Sequence, residues 1–379
     1  MINSLLIRNF RIFKELKIDR LSRVNLFVGK NNSGKSCLLE ALQIYATKGH
    51  PKNLYEIVSS RDEHWESIIV EKNENAVHEI AEPLGYLFNG YALPEIGGES
   101  IEIGPIEDDS KRLEIRRRAF QIIEDKEGRR IRIPVEPQLI KDELVDIQIA
   151  LEVVQGEERC HYIPSDSHIS SYNNYKRRTY SGSRELNINY QTVPTRNIDD
   201  DKLSVLWDNI NLTDLENEVV SCLRIVDPNI SGVALVGDVS DRLGRKSRRI
   251  PIIRYKGMNE RIPLKTMGDG LTRLFHIILA LVNSKNGFLL IDEFENGLHW
   301  ALHPKVWEII IRLSEELNVQ IVATTHSRDC VKGFYEVWRF KEEYASFYRL
   351  EADPVRGSKI VSYTCKVLSD AIETDVEVR

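Results

Sequence analysis

An α/β fold with a mixed central sheet is the class this chain predicts, on three grounds. Residues 24–28, 288–291 and 319–324 are predominantly apolar runs of strand length, the pattern of strands buried on both faces. Segments of helical periodicity, 35–45, 271–282 and 303–317, alternate with them, as the crossovers of a parallel sheet require. Between the two blocks, residues 86–162 alternate short β-like segments with turn residues, which predicts an antiparallel sheet.

In chain order, the first strands are predicted over residues 2–8 and 16–28, the second ending in the run before Gly29. Leu38, Leu39, Ala41, Leu42 and Tyr45 give the helix from Lys35 its apolar face, and Gly49 and Pro51 punctuate its end. The antiparallel part is predicted to hold strands at 100–103, 112–122, 129–134 and 144–154. Apolar residues every three or four positions make 203–225 helical, and a second β-rich stretch covers 233–264. The organisation that follows is one discontinuous domain. Its core is 1–60 and 236–379, with an antiparallel β subdomain over 61–162 and an inserted, mainly helical lobe over 163–235.

The chain's 379 residues suffice for a large core with an insertion, and 42% hydrophobic with 29% charged residues is an ordinary globular balance. Cys37, Cys160, Cys222, Cys330 and Cys365 are scattered and never paired as CxxC, which argues against a disulfide framework or a zinc site and fits a reducing cytoplasm. Apolar and charged residues alternate at the N-terminus, unlike a signal peptide. No run approaches the roughly 18 apolar residues of a membrane span. A cytoplasmic protein without a membrane partner is therefore expected. A net charge of −6 gives no global attraction to nucleic acid, so DNA as a partner rests on local basic clusters at 242–249, 175–178 and Arg116 to Arg118. There is no internal repeat, low-complexity tract or heptad run long enough for an extended coiled coil.

Residues 29–36 read GKNNSGKS and lie between an apolar strand and a helix start, the setting of a phosphate-binding loop. Gly29 and Gly34 let the backbone bend so that the N–H groups of Lys30, Asn31, Asn32, Ser33 and Cys37 can turn toward phosphate oxygens of ATP. Lys35 brings a charge to the β and γ phosphates, and Ser36 a hydroxyl to Mg²⁺. The second strand of the core, FLLIDE, ends in Asp292, a partner for Mg²⁺, and Glu293, a group to polarise the attacking water. His326, in ATTHS after the next apolar strand, is placed to bond the γ phosphate. Lys265 to Phe275, KTMGDGLTRLF, put two glycines before a helix whose N–H groups are free for a second anion.

In this order, NFRIFKEL, VGKNNSGKSCLLEAL, MGDGLTRL, LLIDEFENGLH and ATTHS, the chain resembles the AAA15/AAA21 ATPases related to OLD and RecF. The resemblance implies the P-loop NTPase fold with an ABC-type ATPase head. It implies a homodimer or higher even oligomer, in which Gly268, Asp269 and Gly270 of one subunit cap ATP bound by the other and Asn296 to His299 form the D-loop. It places Arg11 where related ATPases hold a phosphate-contacting cation; a surface arginine without a ligand is the other reading. MGDGL departs from the LSGGQ of transport ATPases and favours OLD-like proteins. No convincing glutamine loop is found, Gln121 being a poor candidate. The 53 residues after His326 are too few for the Toprim nuclease of full OLD proteins. What the resemblance implies is then an ATPase of a prokaryotic phage-defence system that controls a separate nuclease or effector. The alternative is a RecF-like DNA-repair ATPase.

Overall fold

The computed structural model describes residues 1–63, 83–124, 130–136, 147–164, 188–237, 249–258, 260–353, 355–374, 376 and 378. Leu5–Phe10 (β1) and Phe13–Ile18 (β2) form a hairpin, and Val24–Val28 (β3) runs into the glycine-rich loop that opens Lys35–Ala46 (α1) and then Pro51–Ser59 (α2). Ile101–Gly104 (β4), Leu113–Glu124 (β5), Arg130–Val135 (β6), Ile147–Gln155 (β7) and Glu158–Pro164 (β8) join them in an antiparallel sheet of order β2-β1-β4-β5-β7-β8, with β6 also beside β5. Tyr190–Val193 (β9), Asp200–Ile210 (α3) and Asp214–Val226 (α4) precede a small sheet of Ile230–Gly237 (β10), Arg249–Tyr255 (β11) and Arg261–Pro263 (β12). The remainder alternates Asp269–Val282 (α5), Phe288–Ile291 (β13), His303–Glu316 (α6), Gln320–Thr325 (β14) and Arg328–Trp338 (α7). Ala345–Asp353 (β15), Gly357–Tyr363 (β16) and Cys365–Glu373 (α8) close the chain.

The central sheet has the order β16-β15-β3-β14-β13-β9, parallel throughout except for β16. All five residues of β3 and all four of β13 are buried, as strands covered on both sides must be. Successive side chains enter different cores. Phe27, Leu290 and Val322 meet Leu38 and Leu42 of α1 and Val153 of the antiparallel sheet. Leu26, Leu289 and Ile321 face a second core built from α3 to α7. Helix α1 therefore lies between two sheets, which explains why eight of its twelve residues are buried. This is an α/β fold of the P-loop NTPase kind, with a mixed sheet and an antiparallel subdomain.

Three elements differ from the sequence reading. The strand expected over 16–28 is two strands, because Asn25 exchanges hydrogen bonds with the main chain of Ser22 (2.9 and 2.8 Å) and shapes the turn before β3. Pro51 starts α2 instead of only ending α1: it occupies the first helical turn, where no amide proton is needed, and His50 accepts from Lys52 N–H. The segment 163–235 was expected to be a mainly helical insert, yet β9 is an edge strand of the central sheet, paired with β13. Helices α3 and α4 pack into the core beside α5, with Trp207 5.8 Å from Phe275.

Arg11 is neither at the surface nor turned to a phosphate. It is 1% exposed and ion-paired with Glu40 of α1 at 2.5 Å and Glu63 at 2.7 Å, and Arg61 completes the cluster by bonding Glu40 at 2.7 Å. Burial raises the Glu40 carboxyl above its ordinary pKa, and the two guanidiniums oppose that shift. The cation thus ties the β1–β2 turn to α1. Removing it takes from Glu63 its ion-pair partner and leaves Glu40 with Arg61 alone, so Arg11→Ala should lose about 3 to 5 kcal/mol of stability. Urea unfolding of parent and variant measures this directly; a loss below about 1 kcal/mol would contradict the assignment.

Candidate active site

Parallel pairing decides where the site forms. Val28 lies opposite Thr325, and Ile291 opposite both Ala323 and Val193, so four strands deliver the residues that follow them to one edge of the sheet. From β3 comes the loop 29–34, whose Gly34 enters α1 with φ +105°. A Cβ there would stand 2.7 Å from the Phe13 ring and 2.8 Å from Ile12, so the β1–β2 turn closes over the loop only because residue 34 is glycine. No side chain caps α1, and its first turn holds no acid, whereas Thr213, Ser327 and Thr364 cap α4, α7 and α8. The free N–H groups of α1 are left for an anion. Lys35 rests on the carbonyls of Gly29 (2.6 Å) and Lys30 (3.0 Å). Burial lowers its pKa, while Asp292, Glu293 and Glu295 work in the opposite direction.

Asp292 stands at the end of β13. Thr324 donates its hydroxyl to Oδ1 at 2.7 Å, and the hydroxyls of Ser36 and Thr195 reach Oδ2 at 3.3 and 3.2 Å. Glu293 has φ +47°, an unfavourable conformation for a side chain of this kind, held by its N–H on Thr324 Oγ1 at 3.0 Å. His326, following β14, brings Nδ1 within 3.6 Å of Glu293 and 3.3 Å of Glu295, and its own N–H donates to Glu295 at 3.0 Å. Among the described residues there is no cluster of three or more His, Cys, Asp or Glu able to hold a metal alone. One carboxylate and a neighbouring hydroxyl suit Mg²⁺, which takes its remaining ligands from water and substrate phosphates. The loop, Ser36, Asp292, Glu293 and His326 are thus brought to one edge.

The AAA_21 family, described as "AAA domain, putative AbiEii toxin, Type IV TA system", matches residues 24–329, from β3 through the start of α7. The chain belongs to this family. A Helicobacter pylori protein named ATP/GTP phosphatase is 26% identical over 380 residues, covering 90% of each chain. A Methanocaldococcus jannaschii protein named Uncharacterized protein MJECL10 is 47% identical over 45 residues, 12% of this chain and 20% of that one. The crystal structure of an SMC head bound to the C-winged helix domain of ScpA overlays 96% of this chain and 98% of its own at 14% identity, with a TM-score of 0.49. As an AAA_21 member the chain is an ATPase of the AAA type. Among the described residues no helix is long and apolar enough to cross a membrane.

Two residues that touch the end of β13 in this AAA_21 chain escape sequence reasoning. Thr195 belongs to the loop after β9 and donates its hydroxyl to Asp292 at 3.2 Å; Gln121, the poor glutamine-loop candidate, lies in β5 of the other sheet, opposite Ile133 and Ile147. Arg273, one turn into α5, is 1% exposed and donates to the carbonyls of Pro194 (2.6 Å), Asp292 (2.8 Å) and Glu293 (3.1 Å). Burial pulls its pKa down to about 10 against the pull of the neighbouring carboxylates. Helix α5 is the helix that Gly268 opens, at φ +97° and with no side-chain cap. Its start meets the loop 296–299, since a Cβ on Gly270 would lie 3.2 Å from the Gly297 carbonyl.

The basic clusters are less uniform than their sequence suggests. Strand alternation turns Arg116 and Arg118 toward Glu152, at 2.9 and 3.8 Å, while Arg117 bonds the Pro94 carbonyl on the other face. Arg249 pairs with Asp208 at 2.8 Å. Residues 175–178 and 242–248 lie outside the described residues.

One turn beyond Arg273, His276 accepts the Ile198 N–H on Nδ1 at 3.0 Å. Burial, with Arg273 nearby, lowers its pKa from 6.5 to about 4. Because the folded-state value is depressed, its contribution is whole above pH 6.5 and is lost as pH falls from 6.5 toward 4. His276→Gln, which keeps an acceptor but cannot gain the proton, should flatten the fall of stability across that window. Chemical unfolding at stepped pH reads the slope, and an unchanged slope would contradict the assignment.

Proposed function

We propose that the chain hydrolyses ATP to ADP and phosphate with Mg²⁺, in sites completed by a second copy of itself. The observation that carries this reading is the meeting of Ser36, Asp292, Glu293 and His326 at the end of the phosphate loop. Backbone N–H groups of 29–37 and Lys35 hold the β and γ phosphates. Ser36 and Asp292 hold Mg²⁺, which when bound draws negative charge from the phosphate oxygens. Glu293 takes the proton of the attacking water, and His326 bonds the γ phosphate. The strained backbone at Glu293 points that carboxylate where an ordinary strand exit would not.

The uncapped start of α5 supports the composite site. Gly268 and Asp269 are exposed, and a helix N-terminus of this kind caps an anion that its own loop does not hold. Head-to-tail pairing would set Gly268, Asp269 and Gly270 over the ATP of the other copy, giving a homodimer or higher even oligomer. Closure by ATP and opening by hydrolysis would be the signal passed to a separate nuclease or effector. The toxin–antitoxin wording of the family description and the OLD-like signature favour a cytoplasmic phage-defence role over the RecF-like DNA-repair alternative.

Lys35→Ala should abolish turnover by removing the phosphate charge. Glu293→Gln should lower kcat by about 100-fold or more while keeping ATP bound. Light scattering of Glu293→Gln is expected to show a rise in mass, or a tightened oligomer, with Mg-ATP. A monomer that stays a monomer with ATP bound would end the dimer reading, and parent-rate turnover by Glu293→Gln would end the catalytic one.

A further inference from the structure

The site built above is short of positive charge. Asp292, Glu293 and Glu295 gather at the sheet edge, and a nucleoside triphosphate adds more negative charge beside them. Arg273 cannot reach a phosphate, because it is enclosed and its guanidinium donates to three main-chain carbonyls. Arg11 is spent on Glu40 and Glu63. Lys35 is then the single cation assigned to the phosphates, although phosphoryl transfer gains most from charge placed against the transferring group.

The loop after β9 offers the missing group. Its backbone is fastened from four directions: Arg273 holds the Pro194 carbonyl at 2.6 Å, and Asn296 of the loop 296–299 holds the Thr195 carbonyl at 2.6 Å. His276 takes the Ile198 N–H at 3.0 Å, and the Thr195 hydroxyl meets Asp292 at 3.2 Å. Between these fastenings lies Arg196, exposed and without a hydrogen bond or ion pair among the described residues. A fixed backbone with an uncommitted guanidinium one residue from the Asp292 contact is what a preorganised phosphate ligand requires. We propose that Arg196 is a catalytic residue that binds the γ phosphate of the ATP held by the loop 29–36 and neutralises its charge in the transition state. This rests on the hydrolytic reading above and adds to it a residue that the motifs do not contain.

The test compares Arg196→Ala, Arg196→Lys and Lys332→Ala, the last removing an exposed cation of α7 outside the site. Turnover at saturating Mg-ATP, affinities for ATP and ADP, and the thermal midpoint are measured for each. Arg196→Ala should lose about 100-fold or more in kcat. Its ATP affinity should fall relative to ADP, while ADP affinity and the midpoint stay at parent values. Arg196→Lys should recover part of the loss, and Lys332→Ala should stay within about threefold of the parent. Turnover of Arg196→Ala within threefold of the parent overturns the proposal. So does an equal weakening of ADP and ATP, or a fall in the midpoint, since either assigns Arg196 to the loop's own fold. A parent that binds ATP without turning it over removes the hydrolytic reading itself, an outcome distinct from a failure of Arg196 alone.

Discussion

Parallel pairing of β9, β13, β14 and β3 brings four chain segments, separated by up to about three hundred residues, to one line at the sheet edge. No single segment could assemble this site. The register sets Thr195, Asp292, His326 and the phosphate loop side by side, and burial of β3, β13 and β14 on both faces prevents those three from slipping. A slip of one residue in β13 would turn Leu289 and Leu290 into the wrong cores and carry Asp292 away from Thr324.

The carboxylates at this edge are held by contacts that serve other elements too. Thr324 bonds both the Asp292 side chain and the Glu293 N–H, and Arg273 binds the carbonyls of both residues from α5. The left-handed backbone of Glu293 is kept by these bonds, at a cost of about 1 to 2 kcal/mol. The same helix carries Gly268 to Gly270 at its start and His276 a turn later. A displacement of α5 would therefore reach Asp292, Glu293 and the loop 194–198 together.

Much of this was legible in the sequence, because its signals are local. GKNNSGKS between strand and helix, the acid pair after FLLI and the histidine after the next apolar run each announce themselves within a few residues. β9 did not, since YQTV is four residues long with one buried apolar side chain, and nothing local marks it as the sheet edge. Thr195 was hidden with it. Arg273 reads as an ordinary charge on a helix; only the tertiary contact with the end of β13 gives it a role. Arg11 misled because sequence order cannot tell a buried ion pair with Glu40 and Glu63 from a phosphate contact.

The central claim is that each site is shared between two copies, and complementation tests it most directly. Lys35→Ala damages the phosphate loop, and Gly268→Glu places a carboxylate at the start of α5, where the surrounding space is open and the glycine-type backbone adds about 1 to 3 kcal/mol of strain. Each protein alone should be inactive. Mixed in equal amounts, they should regain up to about a quarter of parent turnover, because a mixed pair contains one site with an intact loop and an intact α5 start. A mixture no more active than its components, with both variants folded and associating, would contradict the shared site.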